Sequence, residues 1–288
     1  MAIVDAITRL VKDPAPEYAL EFSEFGVAWG HAEETGFVGF EQGTLQVSPV
    51  ADNFLRAESA QVTLGAIPRK NGNGANKRLR AALILPDYAA RVTVVDFDSF
   101  PAKPEEQREL VRFRLKKTLP FDASSAAIGY YAQAGEKGRK IEVVAVAVAL
   151  EVIARYEALA RAANFHPGEI TTSSLAALNL SPAEGVEVFA KLAGRVLTVM
   201  VLAAGIVKLV RCVELENTSE ESMLLVIYPT LAYIEDELGS KADQIAVCGF
   251  PPEFVKSAGV PVRTLVSRLG KTGPWNAGLL GYLEGEQN

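Results

Sequence analysis

The order of strand-like and helix-like runs constrains this chain more than any single residue does. Runs that alternate or stay apolar occur at 17–23 (EYALEFS), 25–30 (FGVAWG) and 36–48 (GFVGFEQGTLQVS), separated by tight turns. A helical pattern over VADNFLRAESAQVTLGAI follows, then the Asn/Gly-rich connector PRKNGNGANK and the strand RLRAALILP. The order returns later in the chain. Strands at 186–191 (VEVFAK), 195–203 (RVLTVMVLA) and 206–213 (IVKLVRCV) precede a long helix, the strand QIAVCGF, the helix PPEFVKSAG and the strand VPVRTLV. A three-strand meander followed by α-β-α-β, present twice, predicts two like lobes. Each would be a mixed sheet with helices on both faces, which accounts for strands that are apolar almost throughout.

Local signals refine the second copy. Thr218-Ser219-Glu220-Glu221 reads as a capping box with Thr218 as the cap, Gly239 as the residue that ends the helix, and Pro229 as a kink or break within it. Between the copies lies the most distinctive stretch, Arg78 to Tyr131: a buried strand read through AALILPDYAARVTVVDFDSFP, a charged helix PEEQRELVRFRLKKTLPFD, then SSAAIGYYAQ. Strands at 125–133 and 140–149, joined by GEKGR, and the helix EVIARYEALARAA complete an inserted α/β unit. The expected division is 1–86 for the first lobe, 87–163 for the insertion, 164–183 for the return to the first lobe, 184–270 for the second lobe, and 271–288 for a C-terminal helix that rejoins the first.

Composition narrows the function classes. A net charge of −6 and a pI near 5.2 disfavour a general nucleic-acid binder, which needs a broad basic face. Cys212 and Cys248 are too few and too far apart for a disulfide framework or a zinc site and read as small buried hydrophobes in a reducing cytoplasm. The start, MAIVDAITRLVKDP, lacks a continuous apolar core and reads as a short amphipathic helix rather than a secretory signal. RVLTVMVLAAGIVKLVRC holds twelve uncharged residues between Arg195 and Lys208, too few to span a bilayer, and reads as a buried hairpin. NGNGANK lacks the spacing of a P-loop, and His31 and His166 are isolated from other metal ligands. Asp96 and Asp98 share one strand face and read as a solvated pair, and Asn217-Thr218-Ser219 as a helix start rather than a glycan acceptor. Basic groups cluster at Arg69, Lys70, Lys77, Arg78 and Arg80, and at Arg108, Arg112, Arg114, Lys116 and Lys117. Both read as solvated faces before they read as contacts to anionic lipid.

The doubled meander is the element order of the ribonuclease-H-like lobes of actin-type ATPases. LILPDYAARVTVVDF, EEQRELVRFRLKKTLPFDASSAAIGYY and YEALARAANFHPGEITTSSLAALNL resemble the PilM family of type IV pilus assembly proteins, itself related to FtsA; the likeness covers residues 78–180. The resemblance implies an actin-like bilobal α/β fold of two βββαβα lobes with an inserted α/β subdomain. It also implies a scaffold at the cytoplasmic face of the bacterial inner membrane that serves pilus assembly and twitching motility. Its partner would be a PilN-like bitopic membrane protein whose N-terminal tail lies in a groove beside the insertion. Other pilus proteins and self-association are further expectations of the family. If the groove lies there, Phe113, Leu119, Phe121 and Tyr130 are candidates for its apolar walls and Arg112 for an acidic side chain, with a core role equally open for each aromatic.

PilM-like proteins carry an ATP cleft between the lobes, built on small residues that let backbone N–H groups approach phosphate. Here Glu21 and Ser23 in ALEFSEF, Gly194 in KLAGR and Gly249 in CGFP occupy the corresponding turns, beside Phe22, Glu24, Phe25 and Pro251 where small residues belong. The expectation is a degenerate cleft without ATP turnover and without a catalytic residue, ahead of retained ATP binding and then of activity. Two alternatives share the fold: the cytoplasmic domain of a GspL-like type II secretion protein, and an active ATPase or sugar kinase.

Overall fold

The computed structural model describes residues 16–69, 79–133, 140–181, 184–251, 254 and 259–286. The N-terminal amphipathic pattern, the Asn/Gly-rich connector, the GEKGR turn and most of PPEFVKSAG lie outside these residues. The first strands are β1 (Tyr18–Ser23), β2 (Gly26–His31) and β3 (Glu34–Gly39), an antiparallel meander, followed by helix α1 (Ala57–Gly65) and β4 (Leu79–Leu85). A single 3-10 turn, Asp87–Ala89, then leads into β5 (Arg91–Phe97). Helix α2 (Pro104–Leu115), β6 (Ala126–Ala132) and β7 (Ile141–Ala149) complete the insertion. Helix α3 (Leu150–Ala162), β8 (Phe165–Thr172) and the short α4 (Ser173–Ala177) return to the first lobe. The second lobe contains β9 (Val186–Ala193), β10 (Val196–Ala203), β11 (Ile206–Glu214), α5 (Glu220–Leu238), β12 (Gln244–Cys248) and β13 (Val262–Thr264), and the chain closes with α6 (Ala277–Gly285).

Two five-stranded sheets have the same plan, β3-β2-β1-β4-β8 and β11-β10-β9-β12-β13, and a three-stranded sheet, β5-β7-β6, belongs to the insertion. In each lobe the first meander strand pairs in parallel with the strand after the helix, Leu20 beside Leu83 and Val188 beside Ile245. These central strands are buried on both faces, so their sequences show no alternation. The fold is therefore a repeated α/β lobe, as the element order predicts.

Four local expectations are corrected. The run AALILPDYAARVTVVDFDSFP is two strands in two different sheets, because Pro86 offers no N–H to a ladder and Asp87 begins a turn. Helix α1 starts at Ala57 rather than Val50. The residues before it form a loop around buried Asn53, whose Nδ2 donates to the carbonyls of Ser48 and Ala51 at 2.8 Å, while Tyr156 donates to its Oδ1 at 2.9 Å. Ser219 rather than Thr218 caps α5: its Oγ accepts from Ser222 N at 3.2 Å, and Asn217 Oδ1 accepts from Ser219 N at 2.9 Å. Pro229 lies within an unbroken α5. Pro229 and Leu225 are both exposed, so the carbonyl that Pro229 cannot serve faces the solvent side. Gly239 ends this helix at φ 60°, in the left-handed region as expected.

The insertion sheet has two different faces. Val143, Ala145 and Ala147 of β7 pack with Phe97 under Val111 and Leu115 of α2. Val144, Val146 and Val148 alternate to the opposite face. The helix α3, expected as part of the insertion, packs against β8 and α1. The insertion also grips the second lobe: Gln133 Nε2 donates to Val207 O at 2.8 Å, Val207 N donates to Gln133 Oε1 at 2.7 Å, and Lys208 Nζ lies 2.5 Å from Glu142 Oε2. The run 195–212 is the β10–β11 hairpin, with Ala204 and Gly205 at positive φ in its turn. Among the described residues no helix is long and apolar enough to cross a membrane. Helix α6 closes on the first lobe through glycines, since a Cβ on Gly278 or Gly281 would lie 2.8 Å from Ser173 Cα or 2.3 Å from Ala176 O.

Candidate functional site

The described residues form a narrow cleft between the lobes and an open groove beside the insertion. The cleft is built from the end of β1, the turn after β4, the start of α4, and β9 and β10. Glu21, Asp87 and Lys191 are 1%, 7% and 2% exposed, so two acids and one base are withdrawn from water together. Asp87 accepts from Ser174 N at 2.7 Å and Oγ at 2.6 Å, and from Thr198 Oγ1 at 3.2 Å; Lys191 Nζ stands 3.4 Å from its Oδ2. Ser173 Oγ donates to Glu21 Oε1, and the Leu279 N–H at the start of α6 donates to Glu21 Oε2 at 2.7 Å. Every buried charge thus has partners, as burial requires.

Burial pushes the Glu21 carboxyl above its ordinary value, against the lowering effect of Lys191, Ser173 and the Leu279 N–H. Burial would lower Lys191, but Asp87 and Glu21 outweigh it and hold the ammonium above the ordinary lysine value. Cys212 and Cys248 border this cluster, and burial pushes both thiols up to about 12. Cys248 is buried as read and Cys212 is half-buried, and a protonated thiol is a poor nucleophile.

The space left in the cleft is about 30 Å³. That is room for about one water molecule, whereas ligand pockets measure roughly 300–1,000 Å³. Phe25 and Trp275 close its mouth with ring centroids 4.2 Å apart. The four residues read as nucleotide-turn positions gather here. Glu21 and Ser23 line the space, and Ser23 Oγ donates to Gly26 O at 3.0 Å. Gly194, at φ 59°, lies against Glu24 and Phe25, and Gly249, at φ 78°, leaves only 2.0 Å between an added Cβ and Leu192 O. Sequence reasoning missed Asp87, Lys191, Ser173, Ser174 and Thr198. The available signal was a charge inside an apolar strand, Glu21 alone in YALEFS and Lys191 beside Glu187 in VEVFAKLA. Such a charge needs an opposite partner elsewhere in the chain.

The groove has a volume of about 780 Å³. Its floor is the apolar face of β7, its walls are β6 and the end of β8, and Leu175, Leu178 and Val207 close it. β6 and β8 are edge strands of their sheets, so both walls carry backbone groups outside any ladder. Tyr131 stands 68% exposed on the β6 wall. Of the five residues read as partner contacts, Tyr130 borders the groove, but its side chain turns to the α2 face, where its hydroxyl donates to Gln107 Oε1 at 2.8 Å and its ring lies against Phe100. Arg112, Phe113, Leu119 and Phe121 do not line it. Arg112 donates to the carbonyls of Ala123 and Ala126 and pairs with Glu109 at 3.4 Å, Leu119 and Phe121 pack under α2, and Phe113 is 76% exposed to solvent.

The other noted groups are peripheral. Asp96 and Asp98 are exposed, and no cluster of metal ligands occurs among the described residues. His31 stacks on Tyr18 at 4.4 Å and His166 is exposed. Arg69 bonds Ala163 O at 2.6 Å, while Lys70, Lys77 and Arg78 lie outside the described residues.

No protein-family model and no curated protein sequence matches the chain. Solved structures do. A PilM-PilN type IV pilus biogenesis complex aligns with a TM-score of 0.72 at 14% identity, over 94% of this chain and 98% of that one. The chain has the actin-like fold. The cytoplasmic domain of EpsL, an inner-membrane component of the type II secretion system of Vibrio cholerae, aligns with a TM-score of 0.54 at 12% identity, over 94% of both chains. The actin-like fold accounts for the doubled lobes, for the cleft between them and for an insertion on one lobe.

Proposed function

We propose that this chain is a scaffold of a type IV pilus assembly complex. Its groove holds the N-terminal tail of a PilN-like bitopic membrane protein, and through that tail it sits at the cytoplasmic face of the inner membrane. The observation that carries the proposal is the 780 Å³ groove bounded by two open strand edges. An extended peptide there gains main-chain hydrogen bonds from an edge strand and places alternate side chains on the floor formed by Val144, Val146 and Val148. β6 is seven residues long, which matches about seven residues of extended tail at roughly 3.3 Å each. The neighbouring PilM-PilN complex supports this choice of partner. The insertion brings no acid, base or nucleophile to the groove floor, so holding a segment is the chemistry it offers.

The inter-lobe cleft, in this reading, is a joint and not a nucleotide pocket. A volume of about 30 Å³ and an ammonium already paired with Asp87 inside it support it. Fluorescent ATP with Mg²⁺ tests the cleft: binding weaker than millimolar is expected, and micromolar affinity with turnover overturns it. Fluorescence anisotropy with labelled tails of bitopic proteins encoded beside this chain tests the groove. Micromolar or tighter binding is expected, and failure of every such tail overturns it. The EpsL likeness favours a second reading, a scaffold of type II secretion, which the identity of the binding tail separates from the first.

A further inference from the structure

The cleft cluster is chemically richer than a joint between two lobes needs. Well-packed apolar side chains can replace a buried charge group without loss of stability, so three charges and three hydroxyls at one joint call for an explanation. The carboxylates of Glu21 and Asp87 come from the first lobe, and the ammonium of Lys191 comes from the second. Around Asp87 stand the hydroxyls of Ser174 and Thr198, and against Glu21 stands that of Ser173. Glu21, Asp87 and Ser173 line one small buried space, and carboxylates with hydroxyl oxygens are the donor types that hard divalent cations take. Lys191 lines the same space, with Nζ 3.4 Å from Asp87 Oδ2, and its charge opposes the effect of burial on Glu21.

We infer that Lys191 is a tethered cation that closes the two lobes in place of a bound ion, and that its carboxylate partners form a latent hard-cation site, exposed when the side chain is removed. Closure is then intramolecular and independent of any ligand. The carboxylates hold the flanking backbone in turn: Asp87 fixes the start of α4 through Ser174 N, and Glu21 fixes the start of α6 through Leu279 N. Loss of the cation leaves two buried acids without a counter-charge and releases both helix ends. A divalent ion restores them.

This inference rests on the reading of the cleft as a joint, and the two fail separately: nucleotide affinity of the wild-type chain tests the reading, and the metal response of a variant tests the inference. The experiment compares the wild-type chain with Lys191→Ala in chelator and in millimolar Ca²⁺ or Mg²⁺, reading melting temperature and amide exchange at Ser174 and Leu279. In chelator the variant is expected to exchange both amides at least tenfold faster than wild type. Metal is expected to reverse this, to leave wild type unchanged, and to do nothing for the double variant Lys191→Ala, Asp87→Asn. Equal protection in the chelated variant, or an equal metal effect on all three proteins, overturns the inference. Should the alanine variant not fold, Lys191→Gln keeps the volume without the charge. Faster exchange at the two amides then supports the cation's role, and wild-type exchange overturns it.

Discussion

Replacing Gln133 with alanine removes the pair of hydrogen bonds that holds the insertion against the second lobe. Gln133 is 8% exposed, and its carboxamide copies a strand partner, donating to Val207 O at 2.8 Å and accepting from Val207 N at 2.7 Å. The variant strands one backbone donor and one acceptor. Each buried unsatisfied group costs about 1–3 kcal/mol, so a joint that stays closed loses about 2–6 kcal/mol in all. A chain of 288 residues unfolds with an entropy of about 0.6 kcal/mol/K, so the melting temperature falls by about 3–10 °C. Val207 also closes the groove, so the same variant loses affinity for a groove peptide although Gln133 is a polar residue at its margin. Thermal unfolding with anisotropy on one preparation measures both. A melting temperature within 1 °C of wild type, together with unchanged peptide affinity, refutes the view that this residue pair fixes the insertion.

Further outcomes follow from single contacts. Tyr131→Ala, at a 68% exposed groove residue, weakens tail binding about tenfold with an unchanged melting temperature, while Phe113→Ala, on the far face, leaves binding at the wild-type value; equal effects of the two place the tail elsewhere. Glu21 has its folded carboxyl raised by burial, so the folded state holds the proton more tightly than the unfolded chain. Its stabilising contribution is complete below the ordinary value near 4.5 and is lost as pH rises through the raised one. Urea midpoints of Glu21→Gln relative to wild type therefore improve with pH across that window, and a flat difference contradicts the assignment. Gly281→Ala drives a Cβ to 2.3 Å from Ala176 O and destabilises the docked α6 by about 1–3 kcal/mol, measured by urea unfolding.

The architecture was legible because it repeats. Two meanders followed by α-β-α-β predict both sheets, and the parallel pairing of β1 with β4 and of β9 with β12 follows from the doubly buried strands. The boundaries that failed are those where a polar side chain overrides a pattern: Asn53 holds a loop where apolar spacing suggests helix, and Ser219 takes the cap one residue late. The charge cluster was half legible. Glu21 was visible as a lone acid in an apolar strand, but its partners lie far away in sequence, Ser173 by 152 positions and Leu279 by 258. Nothing local marks Asp87 or Gln133, each of which acts only after three sheets have met. The groove was placed beside the insertion from family likeness, yet the face was misjudged: α2 covers one side of β7, and alternation along IEVVAVAVA leaves the other side open.

Amide hydrogen exchange with and without a synthetic tail peptide tests the central claim most directly, because it reports where the peptide lies. The account predicts slower exchange at the β6 and β8 amides that no neighbouring strand bonds, with little change at the buried cleft amides of Ser174 and Leu279. Protection confined to the cleft, or to the α2 face around Phe113, would contradict it.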